Sequence, residues 1–338
     1  MTLGGGVLLS VRNLKTYFEQ DEGTVRAVDG VSFDVASGGT LGIVGESGCG
    51  KSVTARSIMR IVDRPGRIVE GEIHFRRASA PGGDGAVIDL VRLAANGPEM
   101  RNIRGAEIAL IFQEPMSSFS PVHTIGNQIV EAIRLHQRVS PRAARDRAVE
   151  ILRRVGVSSP EQRVDQLSHQ LSGGLRQRAM IAMALSCEPT LLIADEPTTA
   201  LDVTTQTQIL ELLRRLQAED GMAIMLITHD LGVIAEMATD VAVMYLGRVV
   251  EQSPVDALFH EPRHPYTRAL LRSIPRIRSR ARERLTPIAG AVPHPYDRPT
   301  GCPFHPRCPD VMPGRCDRQA PRLRPVADRH TVSCFLYE

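Results

Sequence analysis

Gly45-Glu46-Ser47-Gly48-Cys49-Gly50-Lys51-Ser52 fits the pattern G-x-x-x-x-G-K-[ST], a loop whose backbone N–H groups cradle the phosphates of a nucleotide. The preceding Thr40-Leu41-Gly42-Ile43-Val44 reads as a buried strand. The following run, Val53 to Ile61, has no breaker and reads as a helix. Strand, loop and helix in that order is the setting the motif requires, and the helix N-terminus adds a dipole that favours anions. Lys51 would reach the β- and γ-phosphates, and the Ser52 hydroxyl would hold Mg²⁺. Lys15 and Lys51 are the only lysines of the chain, although Lys and Arg together number 41. A sequence that otherwise carries positive charge on arginine thus places a compact ammonium at the one position where this loop needs it.

The bulk numbers describe a globular chain. Its 338 residues leave room for one large domain and something smaller. A hydrophobic share of 42% and a charged share of 23% are ordinary. A net charge of +3 argues against a strongly charged partner such as nucleic acid. No apolar run approaches the length of about 18 residues that a membrane-spanning helix needs. The start, Met1-Thr2-Leu3-Gly4-Gly5-Gly6, lacks the features of a secretion signal. A cytoplasmic chain is expected, in which six cysteines read as thiols or ligands and not as disulfides.

Four apolar runs end abruptly on polar residues. Thr40–Val44 leads into Gly45, Ile108–Phe112 into Gln113, Leu191–Ala194 into Asp195-Glu196, and Ala223–Thr228 into His229. Continuous apolar runs of this length suit strands of a parallel sheet buried on both faces, where ligands bind beyond the carboxyl ends. If the four are parallel, Gly45, Gln113, Asp195, Glu196 and His229 share one edge. Asp195 would then support Mg²⁺ through a water, and Glu196 would orient and deprotonate an attacking water. His229 would contact the γ-phosphate, and Gln113 would reach the metal and the water.

Earlier in the chain, Val31-Ser32-Phe33-Asp34-Val35 alternates as a half-exposed antiparallel strand should. Leu8–Phe18 and Val25–Val28 read as its partners, joined by the turn Gln20 to Gly23. Phe18 or Tyr17 on this small sheet is placed to stack on an adenine. Between Gln113 and Asp195 the pattern turns helical. Ser140-Pro141 starts a helix carrying Ala144, Ala148, Ile151, Leu152 and Val155, and Gly156 stops it. Leu171-Ser172-Gly173-Gly174 opens another helix, running to about Ser186. Ser172, Gly173 and Gly174 there form a second anion site at a helix N-terminus. One nucleotide does not need two such sites distant in sequence, so this one is expected to face a nucleotide on another subunit.

With these motifs in hand, the sequence resembles the ATP-binding cassette ATPases over about residues 8–255. Gly45–Ser52 matches their Walker A, Gln113 their Q-loop, Leu171–Gly174 their signature, Leu191–Glu196 their Walker B, Ala200-Leu201-Asp202 their D-loop and His229 their switch histidine. The resemblance narrows to the oligopeptide/dipeptide importer subfamily through Gln113-Glu114-Pro115-Met116, Asp195 to Val203, and His264-Pro265-Tyr266-Thr267-Arg268-Ala269-Leu270-Leu271. Leu175 and Thr199 depart from residues common in the superfamily, at positions without a catalytic role. The resemblance implies an α/β P-loop NTPase (RecA-like) core with an N-terminal antiparallel β-subdomain and a helical signature subdomain at about 114–188. Residues 1–255 would form the nucleotide-binding domain and 256–338 a Cys-rich C-terminal extension. It also implies ATP and Mg²⁺ as ligands, and a head-to-tail pair with a second cassette, identical or not. Two membrane permease subunits and an extracytoplasmic substrate-binding protein would complete the assembly, with this chain peripheral on the cytoplasmic face of the membrane. Glu114 to Thr124 would help form a groove for the permease. Relatives of the subfamily also carry nickel complexes or oligosaccharides, and a soluble cassette ATPase outside transport is the alternative class.

From Pro254 onward proline and arginine become frequent and periodicity fades. Cys302, Cys308, Cys316 and Cys334 fall in this tail with spacing C-x5-C-x7-C-x17-C, without the C-x2-C pairs usual at zinc sites. Four cysteines are the ligand set of a [4Fe–4S] cluster, and the resemblance favours that group. Zn²⁺ is the alternative, with His305 and His330 as substitute ligands, and unligated thiols are the third reading. A structural staple is the expected role.

Overall fold

The computed structural model describes residues 3, 6–77, 85–113, 118–199, 201–273 and 288–338. Among them twelve strands run in chain order: β1 Val7–Gln20, β2 Gly23–Ala36, β3 Thr40–Val44, β4 Gly66–Arg76, β5 Val87–Asp89, β6 Ile108–Ile111, β7 Leu191–Asp195, β8 Ala223–Ile227, β9 Asp240–Tyr245, β10 Arg248–Pro254, β11 Arg324–Ala327 and β12 His330–Val332. The chain divides into two compact units. One comprises Met1–Leu9, Val35–Thr40 and His74–Ile227; the other comprises Ser10–Asp34, Leu41–Ile73 and Thr228–Glu338. No described helix is long and apolar enough to cross a membrane.

In the first unit β6, β7 and β8 pair in parallel, with Ile108 opposite Leu191 and Leu191 opposite Ala223. Every residue of β7 and β8 is buried, as expected of strands covered on both faces. Their common direction sends Gln113, Asp195 and Glu196 to the same end. The helices Ile125–His136, Pro141–Arg154 and Gly173–Leu185 pack on one another. The Ser140 hydroxyl accepts the N–H of Ala143 at 3.2 Å, Pro141 opens the helix, and Ala144, Ala148 and Leu152 face inward. These are the cap, first-turn and periodicity signals that the sequence carries.

In the second unit β3 runs parallel to β9, while β9, β10, β12 and β11 follow in antiparallel succession. Strands β2, β1 and β4 lie side by side, tied by the Asn13 N–H to the Ser32 hydroxyl at 2.9 Å and by Lys15 to Glu70 at 2.6 Å.

Two expectations are corrected. The helix after the phosphate loop spans Lys51–Ile58 and stops before Ile61, because Arg60 turns to φ 54. Val25–Val28 and Val31–Val35 are one strand, not two. Gly30, at φ 87, lets the strand continue beside Asn13 at φ 47, a conformation that costs glycine nothing. Among the described residues the C-terminal tail has regular elements. It supplies a helix Pro265–Arg272 and strand β12, which pairs with β10 through Glu251 opposite Val332.

Candidate functional site: a phosphate loop and a carboxylate turn

The phosphate loop is wedged against backbone. A Cβ on Gly45 would lie 2.2 Å from the Met244 carbonyl oxygen, and one on Gly50 would lie 2.2 Å from that of Ala27. Both glycines have positive φ, 154° and 100°, so no other residue type fits here. Lys51 is only 5% exposed. Its Nζ donates to the carbonyl oxygens of Gly45 at 2.8 Å and Glu46 at 3.2 Å, which lays the ammonium across the loop. The Cys49 thiol is buried beneath it, and desolvation raises its pKa, so Cys49 fills space as a neutral group. Glu46 is held from outside the loop. Its N–H donates to the Tyr266 hydroxyl oxygen at 2.9 Å, and its carboxylate takes two hydrogen bonds from Arg307, at 2.7 and 3.0 Å.

His229 belongs to the same unit. The Thr228 N–H donates to the Ile43 carbonyl at 3.2 Å, which sets this segment beside the end of β3. Asp230 then caps the helix Leu231–Met237, its Oδ1 accepting the Gly232 N–H at 2.8 Å. His229 therefore stands between a strand end and a helix start.

In the first unit the turn after β7 carries the catalytic candidates. Asp195 closes the strand and is buried. Glu196 adopts φ 49, uncommon for a residue with a side chain; its N–H is fixed to the Ile227 carbonyl at 2.8 Å. The Glu196 Oε2 accepts from Thr199 Oγ1 at 2.8 Å and from Gln113 Nε2 at 3.3 Å. The structure thus brings Gln113 and Glu196 together. The role of Thr199 was not read from sequence, where it stood only as a departure from the superfamily pattern; its hydroxyl anchors the carboxylate. Gln177, on the helix that Ser172 opens, donates to the Pro197 carbonyl at 2.5 Å. Asp202 caps the helix Val203–Asp220, accepting the Thr205 N–H at 2.9 Å and its hydroxyl at 2.7 Å. Ser172 accepts the Leu175 N–H at 3.4 Å, and Gly173 has open space where a Cβ would be. Ala200 and residues 114–117 of the expected permease groove lie outside the described residues.

Tyr17 and Phe18 are placed differently. The Tyr17 hydroxyl donates to Asp29 Oδ1 at 2.6 Å, and the Arg26 guanidinium lies 5.7 Å from its ring. Burial and the Asp29 carboxylate raise the phenol to about 12. Arg248 and Arg298 reach the other Asp29 oxygen at 2.8 and 3.0 Å. Phe18 is half-buried, and a Cβ on Gly66 would come within 2.5 Å of its ring.

All six cysteines are free. Cys302, Cys308, Cys316 and Cys334 line one small cavity with Phe304 and Phe335. Burial pushes Cys302 up to about 11 and Cys308 to about 12, and the Met312 N–H donates to Cys316 Sγ at 3.4 Å. Among the described residues, however, no group of three or more His, Cys, Asp or Glu side chains is placed to hold a metal ion. A single zinc ion needs its sulfur donors within about 2.3 Å of one point, so the Zn²⁺ alternative is not formed. His330 is also spent elsewhere, its Nε2 lying 2.8 Å from Glu251 Oε1. What the four cysteines share is a cavity.

A glycine-locked phosphate loop on one strand end, and an Asp-Glu pair on another, define a P-loop nucleotide hydrolase. The ABC transporter family model matches residues 28–199, and the model of the oligopeptide/dipeptide transporter C-terminal region matches 250–316. The chain is 48% identical over 327 residues to the dipeptide transport ATP-binding protein DppD of Escherichia coli K12, covering 97% of this chain and 96% of that protein. It is 50% identical over 332 residues to the oligopeptide transport ATP-binding protein AppD of Bacillus subtilis 168, covering 98% and 97%. Among solved structures it is similar to the ATP-binding cassette MJ0796, a dimer bound to ADP and Pi, with a TM-score of 0.63, 26% identity, and coverage of 73% of this chain and 99% of that one. The chain belongs to the ABC transporter family, as an ATPase of that family carrying the oligopeptide/dipeptide transporter C-terminal region.

Proposed function

We propose that this ATPase powers the import of dipeptides or oligopeptides through a separate membrane permease. The observation that carries the reading is the near full-length similarity to dipeptide and oligopeptide transport ATP-binding proteins, including their C-terminal region at residues 250–316.

In this reading Gly45–Ser52 holds the phosphates of ATP, Lys51 neutralises the β- and γ-oxygens, and Phe18 stacks on the adenine. Ser52, Gln113 and Asp195 hold Mg²⁺, which would screen the phosphate charge. Glu196 takes a proton from the attacking water, Gln113 positions that water, and His229 contacts the γ-phosphate. Ser172, Gly173, Gly174 and Asp202 serve the nucleotide of a second cassette, identical or not. The dimeric MJ0796 structure supports pairing of this kind. Two permease subunits and an extracytoplasmic binding protein complete the assembly, with this chain peripheral at the cytoplasmic face. Residues 1–255 form the nucleotide-binding domain, with 114–188 as its helical part, and 256–338 form a Cys-rich extension.

For that extension we propose a [4Fe–4S] cluster on Cys302, Cys308, Cys316 and Cys334. Four thiols around one cavity supply the ligand number, and a cluster several atoms across holds its ligands farther apart than one ion does. Its contribution would be structural. Iron and acid-labile sulfide should co-purify with the anaerobically prepared chain and be lost in Cys308→Ser; a preparation devoid of both would end this assignment.

The transport reading is tested by reconstituting the chain with its permease subunits and binding protein in proteoliposomes. ATP-dependent uptake of a labelled dipeptide is expected. Uptake of a nickel complex or an oligosaccharide in its place, or of nothing, would refute peptide import.

A further inference from the structure

In the phosphate loop, the polar groups of Glu46 are all held. Its carbonyl accepts from Lys51 Nζ at 3.2 Å and from the Cys49 N–H at 3.3 Å. Its N–H and carboxylate are held by residues more than two hundred positions away, Tyr266 and Arg307. Arg307 is deeply seated, its side chain 4% exposed. Beyond the two bonds to Glu46, its Nε donates to the Ala289 carbonyl at 3.0 Å and its Nη1 to the Tyr245 hydroxyl at 3.3 Å. Tyr266, Tyr245 and Phe304 form a buried aromatic cluster beneath this pair, with ring centroids 4.7 to 5.3 Å apart. Pro265 opens the helix that presents Tyr266, and the His264 Nδ1 caps it by accepting the Tyr266 N–H at 3.1 Å.

We propose that Tyr266 and Arg307 are positioning residues for ATP: the C-terminal segment sets the phosphate loop through Glu46. The role has two physical parts. Tyr266 fixes the orientation of the peptide group at Glu46, the residue whose carbonyl anchors Lys51. Arg307 neutralises a carboxylate that lies inside a loop built to receive polyanionic phosphate. Without its guanidinium that carboxylate would be left unpaired in a half-buried position, which costs far more than the pair gains. The cost would fall on anion binding. The 3₁₀ turn His305–Arg307 that carries Arg307 lies between Cys302 and Cys308, so whatever shapes the cysteine cavity also shapes this clamp. A merely structural tether would move the melting temperature and leave ATP affinity to follow it.

The inference rests on the reading of Gly45–Ser52 as the ATP phosphate loop, and the experiment separates the two. Calorimetric titration of ATP with Mg²⁺ into the full-length wild-type chain tests that reading alone; no binding there sinks it. With binding established, Arg307→Met should lower ATP affinity on the order of tenfold. Adding Glu46→Gln should recover most of that loss by removing the stranded charge. Tyr266→Phe, which keeps the aromatic packing, should weaken ATP a few-fold at a temperature where the variant is fully folded. ATP affinity within twofold of wild type in Arg307→Met would overturn the proposal, as would a double variant no better than the single one. If Arg307→Met does not fold, Tyr266→Phe decides, and wild-type affinity there refutes the positioning role.

Discussion

The phosphate loop and the carboxylate turn meet the same demand, a polar group held at a strand end, by opposite means. At the loop, glycines pressed against the Met244 and Ala27 carbonyls leave the backbone one conformation. Lys51, Tyr266 and Arg307 are all nearly solvent-free. At the turn, Glu196 sits at positive φ and its carboxylate depends on Thr199 and on Gln113, which is exposed. Bonds of the first kind are enclosed and cannot be replaced by water. Bonds of the second kind can be exchanged for a water molecule or a nucleotide oxygen at small cost. The difference teaches that the phosphate loop is fixed by the core while the carboxylate turn is adjustable.

Breaking the rigid side should have the larger effect. Gly50→Ala puts a methyl group 2.2 Å from the Ala27 carbonyl, and is expected to abolish ATP binding or folding altogether, read by calorimetry and circular dichroism together. Lys51→Ala should weaken ATP about 100-fold and also lower the melting temperature, because the buried Gly45 and Glu46 carbonyls lose their donor. On the adjustable side, Thr199→Val should lower the ATPase rate of the complete transporter about fivefold, one hydrogen bond's worth, and Thr199→Ser should leave it near wild type. A thousandfold loss in Thr199→Val would show that the turn is as rigid as the loop.

The clamp region adds a pH test. Burial, aided by the nearby Arg268 cation, lowers the pKa of His264 from 6.5 to about 3. Between those values the unfolded chain binds a proton that the folded chain refuses, so this contribution to stability is full above 6.5 and is lost as pH falls. The slope approaches about 1.4 kcal/mol per pH unit. His264→Asn, which retains an acceptor for the helix cap, should flatten that acid limb in urea titrations. An unchanged slope would place the acid sensitivity elsewhere.

Much of the fold around the phosphate loop was legible in the sequence because its signals are local. Thr40–Val44 and Ala223–Ile227 are unbroken apolar runs, and that is what strands buried on both faces look like. Ser140-Pro141 announces a helix start by the chemistry of the cap itself. What stayed hidden was decided at a distance. Nothing around His264-Pro265-Tyr266 indicates that the tyrosine accepts a hydrogen bond from Glu46, and Arg307 is one arginine among many. Strand β12 is three residues long and takes its place only by pairing with β10. Val25–Val28 and Val31–Val35 read as separate strands because the tolerance of positive φ at Gly30, not a periodic pattern, keeps β2 continuous.

The central claim is that Glu196 performs the hydrolytic step on a nucleotide that the phosphate loop binds independently. The direct measurement is phosphate release and retained ATP in Glu196→Gln, assayed in the reconstituted transporter. The account predicts wild-type ATP affinity with phosphate release slowed about a thousandfold. Release at the wild-type rate, or loss of ATP binding together with release, would contradict it.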